Sequence, residues 1–182
     1  MARIVLVTGG ARSGKSAYAE SLYSEKQQVT YLATARISDD EMRVRIHLHR
    51  QRRPQTWQTV EGSYDLAALV KKTGNTAVLL DCLTILTSNI MFDITKDCPT
   101  IPIELQQQVE QNVFQELEYL IDYVKVVYGE LVMVTNEVGC SIVPENHIAR
   151  VYCDLLGRVN QRIAALCDEV YLVTCGIPLQ LA

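Results

Sequence analysis

A strand-forming run, Ile4-Val5-Leu6-Val7, leads straight into Gly9-Gly10-Ala11-Arg12-Ser13-Gly14-Lys15-Ser16, and no other stretch of this 182-residue chain restricts its fold as strongly. The octapeptide reads G-x-x-x-x-G-K-S, and Ala17-Tyr18-Ala19-Glu20-Ser21-Leu22 behind it opens a helix. Glycines let the backbone curl at dihedrals that other residues resist. The curled N–H groups and the helix N-terminus then offer partial positive charge to phosphate oxygens. In such a loop Lys15 reaches the β- and γ-phosphates and the Ser16 hydroxyl ligates Mg²⁺. Strand, glycines, Lys-Ser and helix in register predict a site for a nucleoside triphosphate.

The rest of the chain is compatible with one domain over residues 1–182, large enough to bury a core. Hydrophobic residues make up 48%, too many for a disordered chain. The net charge of −4, with one Trp and two Phe, argues against a nucleic-acid partner. No apolar run approaches the roughly 20 residues a membrane span needs. Met1-Ala2-Arg3 passes directly into the first strand without a signal-peptide pattern, so a cytoplasmic location is expected. The six cysteines form no C-x-x-C pair and read as small buried hydrophobes, not as zinc ligands or disulfides.

Short apolar runs alternate with segments of helical period, which predicts an α/β fold with a mostly parallel sheet. The expected strands are Ile4–Thr8, Val29–Ala33, Thr56–Val60, Ala77–Asp81, Leu131–Thr135 and Val170–Thr174. Several are apolar throughout, as parallel strands covered on both faces are. Tyr64–Lys72 reads as a helix capped by Ser63 and ended at Gly74-Asn75. Glu104–Tyr128 carries Val109, Val113, Leu117, Leu120, Ile121 and Val124 on one stripe, and Glu145–Cys167 repeats the pattern. Asp93–Pro102, with two prolines, reads as a surface loop.

Three further features carry chemistry. Val78-Leu79-Leu80-Asp81 is a buried strand closed by an acid, the place from which P-loop proteins hold the hydration shell of Mg²⁺. The segment from Arg43 to Pro54 sets His47 and His49 among Arg43, Arg45, Arg50, Arg52 and Arg53. As a helix it places Arg45 and His49 on one face and turns His47 about 200° away from Arg45, so only one histidine faces a given ligand. Neighbouring cations disfavour the imidazolium, leaving a neutral ring able to act as nucleophile or base. Thirdly, Thr135-Asn136-Glu137-Val138-Gly139 follows a predicted strand, where ligands of open α/β sheets bind, so Asn136 and Glu137 are candidates for substrate contact.

These segments together resemble one family, the bifunctional adenosylcobinamide kinase / adenosylcobinamide-phosphate guanylyltransferases of cobalamin biosynthesis. Besides the glycine loop, the resemblance is carried by Tyr31-Leu32-Ala33-Thr34-Ala35, Arg45-Ile46 with His49, Arg53-Pro54, Trp57-Gln58-Thr59 with Glu61, and Leu80-Asp81-Cys82-Leu83-Thr84. It continues through Thr135–Gly139, Ile142-Val143-Pro144-Glu145-Asn146, Gly157-Arg158-Val159-Asn160-Gln161 and Gly176-Ile177-Pro178. The family often has a second glycine where Ser141 stands here. The resemblance implies a RecA-like P-loop fold, commonly as a homotrimer. It implies phosphorylation of adenosylcobinamide with ATP or GTP, then transfer of GMP from GTP to adenosylcobinamide phosphate through a GMP–histidine. The family's histidine lies in R-I-x-x-H, which is His49 here and not His47. The nucleotide-contacting positions it implies are Gly9–Ser16, Thr34, Ala35, Arg36, Arg50, Gln51, Arg52, Arg53, Glu61 and Asp81, with Mg²⁺ at Ser16 and Asp81. The main alternative is a P-loop small-molecule kinase with no guanylyl step. A GTPase switch fits poorly, because Thr95-Lys96-Asp97-Cys98 fails the [N/T]-K-x-D guanine signature.

Overall fold

Strands that are apolar on both sides need cover on both sides, and that requirement organises the molecule. The computed structural model describes residues 1–23, 27–36, 54–96 and 98–182. The basic segment with His47, His49 and Arg50–Arg53 lies outside the described residues. Along the rest run β1 (Arg3–Thr8), α1 (Lys15–Ser21), β2 (Val29–Ala33), β3 (Gln58–Glu61), α2 (Leu66–Thr73) and β4 (Ala77–Asp81). Then come α3 (Leu83–Thr95), α4 (Ile103–Val126), β5 (Glu130–Val134), α5 (His147–Ala164), β6 (Glu169–Thr174) and β7 (Ile177–Gln180).

The described strands form one sheet in the order β3-β2-β4-β5-β1-β6-β7, parallel except that β7 runs antiparallel to β6. Alternate residues of β1 show the two-sided burial. Ile4 and Leu6 enter the cluster that α2–α5 cover, with Val113, Leu117 and Leu155, while Val5 and Val7 enter the smaller cluster containing Ala19 and Tyr23. The predicted stripe of α4 is buried in full, from Val109 to Val124.

Several expectations need correction. Ser63 does not cap α2; Asp65 holds the N-cap position with no side-chain cap, and the Glu116 carboxylate accepts from the Leu66 N–H instead. Strand β3 begins two residues late because Trp57 N–H bonds back to Pro54 in a turn. Helix α3 lacked an amphipathic signal because apolar residues lie on its outer side too: Leu83, Leu86, Thr87, Ile90, Met91 and Thr95 form the buried stripe, while Phe92 is exposed. Asp93–Thr95 therefore belong to a helix, and Ile101 is core, so Asp93–Pro102 is not a surface loop throughout. Strand β7 follows a two-residue turn in which Cys175 and Gly176 both take positive φ, as tight hairpins of the I′ class require. The cysteines are not the buried hydrophobes expected: Cys82, Cys98, Cys153 and Cys167 are half-buried, and Cys140 and Cys175 are exposed, the latter in that turn.

Candidate active site

Parallel register aligns the carboxyl ends of five strands. Glu61 pairs with Ala33, Ala33 with Asp81, Asp81 with Val134, and Val134 with Val7. At about 4.8 Å per strand, the row from Glu61 to the root of the glycine loop spans about 19 Å. Asp81 does not adjoin the loop strand directly: β5 lies between β4 and β1, which places Asn136 between the acid and the loop.

The loop is held tightly at its base and open at its top. Gly9 is buried; a Cβ there would come within 2.5 Å of the Val173 carbonyl oxygen and 2.7 Å of Ser13 Oγ. Gly14 caps α1 at a φ of 97°, and a Cβ would press on the Gly176 backbone at 3.1 Å. Ser13 is fixed from both sides, its N–H on the Gly10 carbonyl at 3.3 Å and its carbonyl accepting from Gly176 N–H at 2.8 Å. Gly10, Ala11 and Arg12 are exposed above. Lys15 Nζ donates to the Gly10 carbonyl at 3.0 Å. Burial lowers the Lys15 pKa, and the nearby Cys82 and Asp81 oppose the shift.

The acid is positioned as deliberately. The Tyr31 hydroxyl donates to an Asp81 carboxylate oxygen. Thr34 is buried, and its hydroxyl donates to the Cys82 carbonyl at 2.9 Å and accepts from the Cys82 N–H at 3.0 Å, tying β2 to the end of β4. The Asp81–Cys82 peptide between them is cis. Burial, with Asp81 beside it, pushes the Cys82 thiol up to about 11, so it stays protonated and unreactive near neutral pH.

A second polar layer fixes the end of β5. Thr84 Oγ1 accepts from the Asn136 N–H at 2.9 Å and from its amide at 3.0 Å. Asn160 of α5 donates to the Asn136 carbonyl at 3.1 Å and accepts from Thr135 Oγ1 at 2.8 Å. Glu137 N–H closes onto the Gly9 carbonyl at 3.1 Å. Glu137 thus stands against the loop and Asn136 is gripped beside it by Thr84 and Asn160, whereas neither Tyr31, Thr84 nor Asn160 is picked out from sequence as orienting the site. The signal of Tyr31 and Thr84 is polarity inside otherwise apolar runs; Asn160, in the polar stretch from Arg158 to Arg162, carries no such signal.

The structure therefore brings Gly9, Gly10, Ala11, Arg12, Ser13, Gly14, Lys15, Ser16, Thr34 and Asp81 to one end of the sheet. Ala35 and Arg36 follow β2, where Arg36 forms a two-pronged pair with Asp93 of α3 at 2.7 and 2.6 Å. Glu61 sits exposed at the end of the β3 edge strand. The residues fit a polyphosphate: Gly9 leaves the cradle that a side chain would fill, and Ser13 Oγ is enclosed without a hydrogen-bond partner among the described residues. The Ser16 hydroxyl and Asp81 carboxylate are the hard oxygen donors that Mg²⁺ takes. No helix among the described residues is long and apolar enough to cross a membrane.

Comparison with known proteins bears on this geometry. Residues 5–181 match the model of the CobU family, cobinamide kinase / cobinamide phosphate guanyltransferase. The bifunctional adenosylcobalamin biosynthesis protein CobU of Escherichia coli K12 is 45% identical over 98% of this chain and 99% of its own. Its Salmonella typhimurium LT2 counterpart is 42% identical over 98% and 99%. The bifunctional protein CobP of Pseudomonas aeruginosa is 36% identical over 97% and 95%. A crystal structure of a KaiC-like protein from Pyrococcus horikoshii shares the RecA-like P-loop fold at 11% identity, with a TM-score of 0.51 over 93% of this chain and 70% of its own.

Proposed function

The chain belongs to the cobinamide kinase / cobinamide phosphate guanyltransferase family, and on that premise we propose that it phosphorylates the hydroxyl of adenosylcobinamide and then transfers GMP to the product. The observation that carries this reading is the glycine loop with Lys15, aligned with Asp81 across β5 on a chain that matches the family from end to end.

In the kinase reaction ATP or GTP lies with its β- and γ-phosphates in Gly9–Ser16. Lys15 and the loop N–H groups take up the charge that shifts toward the leaving diphosphate. The hydroxyl oxygen of the substrate bonds to the γ-phosphorus as the bond to the diphosphate breaks, and the hydroxyl proton passes to water. Mg²⁺, held by Ser16 and Asp81, would supply charge neutralisation to the phosphates. Tyr31 keeps the Asp81 carboxylate turned toward that duty.

For guanylyl transfer the nucleophile is His49, read from sequence. Its neutral ring nitrogen bonds to the α-phosphorus of GTP and pyrophosphate departs with the electron pair. A phosphate oxygen of adenosylcobinamide phosphate then displaces the histidine and gives adenosylcobinamide-GDP. Arg50, Gln51, Arg52 and Arg53 beside it, with Thr34, Ala35, Arg36 and Glu61, complete the nucleotide contacts in this reading. A homotrimer in the cytoplasm belongs to the same proposal.

The test is incubation with GTP labelled at the α-phosphate. The protein should acquire an acid-labile adduct that adenosylcobinamide phosphate discharges. His49→Asn should take up no label and His47→Asn should label normally. The reverse pattern would move the nucleophile from His49 to His47, guanylylated product without an adduct would mean direct transfer, and phosphorylation with neither adduct nor guanylylated product would leave a kinase alone.

A further inference from the structure

The loop after β5 and one face of α5 enclose two adjoining hollows of about 420 and 210 Å³ that share Gly139, Cys153 and Asp154 as walls. The larger hollow reaches Glu137 and Asn160, the residues tied to the glycine loop and to Asn136. The smaller one ends at Ile142, Val143 and Pro144, where Ile142 is 91% and Val143 76% exposed. The groove thus runs from the phosphate end of the sheet to an exposed apolar rim. That rim is held in place: Arg150 donates to the Pro144 carbonyl at 2.9 Å and the Glu145 carbonyl at 2.5 Å.

Gly157 lies on the groove wall, well inside the 18-residue helix α5. Glycine is a poor choice in a helix interior. Yet a Cβ at this position would meet nothing within 4 Å, so packing inside the chain does not require its absence. The space is open on the groove side, and a bare patch of helix is what a broad, flat ligand needs to lie close.

We infer that this groove holds the corrinoid acceptor, laid against α5 at Gly157, with its apolar edge on Ile142 and Val143 and its hydroxyl arm toward the glycine loop. The inference rests on the proposed function and adds the place of the acceptor. Phosphoryl transfer demands that the hydroxyl come beside the γ-phosphate, and the groove opens where Glu137 touches Gly9. Asp154, exposed and shared by both hollows, faces a macrocycle whose cobalt makes it cationic. Two apolar side chains left in water acquire a partner.

Two variants separate this from the parent reading. Gly157→Leu fills the groove, and Ile142→Asp removes its apolar rim from a fully exposed position that cannot disturb the core. Each should raise the KM for adenosylcobinamide tenfold or more in the kinase assay. GTP affinity and self-labelling by α-phosphate GTP without acceptor should stay at the wild-type level, and thermal unfolding confirms that both variants are folded. Unchanged acceptor KM in both variants overturns the inference, as does an equal loss of GTP affinity. If wild-type protein itself fails to phosphorylate adenosylcobinamide, the proposed function falls instead, and the variants are not needed to show it.

Discussion

Position 9 illustrates how a single atom governs the site. The Cβ of Gly9→Ala would meet the Val173 carbonyl at 2.5 Å, so β6 or the loop must move. The expected result is a loss of about 1–3 kcal/mol in stability and at least tenfold weaker nucleotide binding, read by denaturant unfolding and equilibrium titration. Tyr31→Phe removes one donor from the Asp81 carboxylate. It should lower kcat about tenfold while unfolding free energy shifts by only about 1 kcal/mol. At Gly157 the balance runs the other way: Gly157→Ala enters open space in a helix and should stabilise the fold by about 0.5–1 kcal/mol. Of the six thiols, Cys140 and Cys175 are exposed and should react first with a thiol reagent. Burial holds Cys82 at about 11 and pushes Cys167 to about 12, so both should react far more slowly than Cys140 and Cys175 near neutral pH.

Elements are joined by polar contacts at their ends. Arg3 on β1 bridges Glu130 of β5 at 2.5 Å and Glu169 of β6 at 2.6 Å, binding three neighbouring strands opposite the site. Hydrogen bonds from Arg3, then Tyr171, hold the Glu169 carboxyl below its ordinary 4.5. The unfolded chain therefore binds the proton more readily, so this contribution is present above about pH 4.5 and disappears as pH falls through the depressed value. Arg3 is 37% exposed, so solvent screening keeps the contribution near 1 kcal/mol. Glu169→Gln should cost about that near pH 7 and nothing near pH 2, measured by urea unfolding across the range. Asn146 caps α5 by accepting from Ala149 N–H at 3.0 Å, so the helix begins at His147 and not at Glu145 as its stripe suggests. Helix α3 was unreadable because exposed Phe92 outside and buried Thr84, Thr87 and Thr95 inside blur the periodicity by which helices are recognised.

At the level of the whole molecule, the sheet order converts residues far apart in sequence into one site. Binding of GTP only to the folded state should add about 2.7 kcal/mol of stability at a hundredfold excess over Kd, and Lys15→Ala should abolish most of that shift in a thermal melt. The sequence alone determined the glycine loop, the two-sided strands and the stripes of α4 and α5, because each follows from contacts between near neighbours or from a repeating period. It also pointed to Asp81, Asn136 and Glu137, since acids and amides at strand ends stand out against apolar runs. Only the tertiary structure decided that β5 separates β4 from β1, that Thr84 and Asn160 grip Asn136, and that a groove opens beside Glu137. Those features depend on which strand lies beside which, and that choice is made by packing across the whole sheet, which no local pattern encodes.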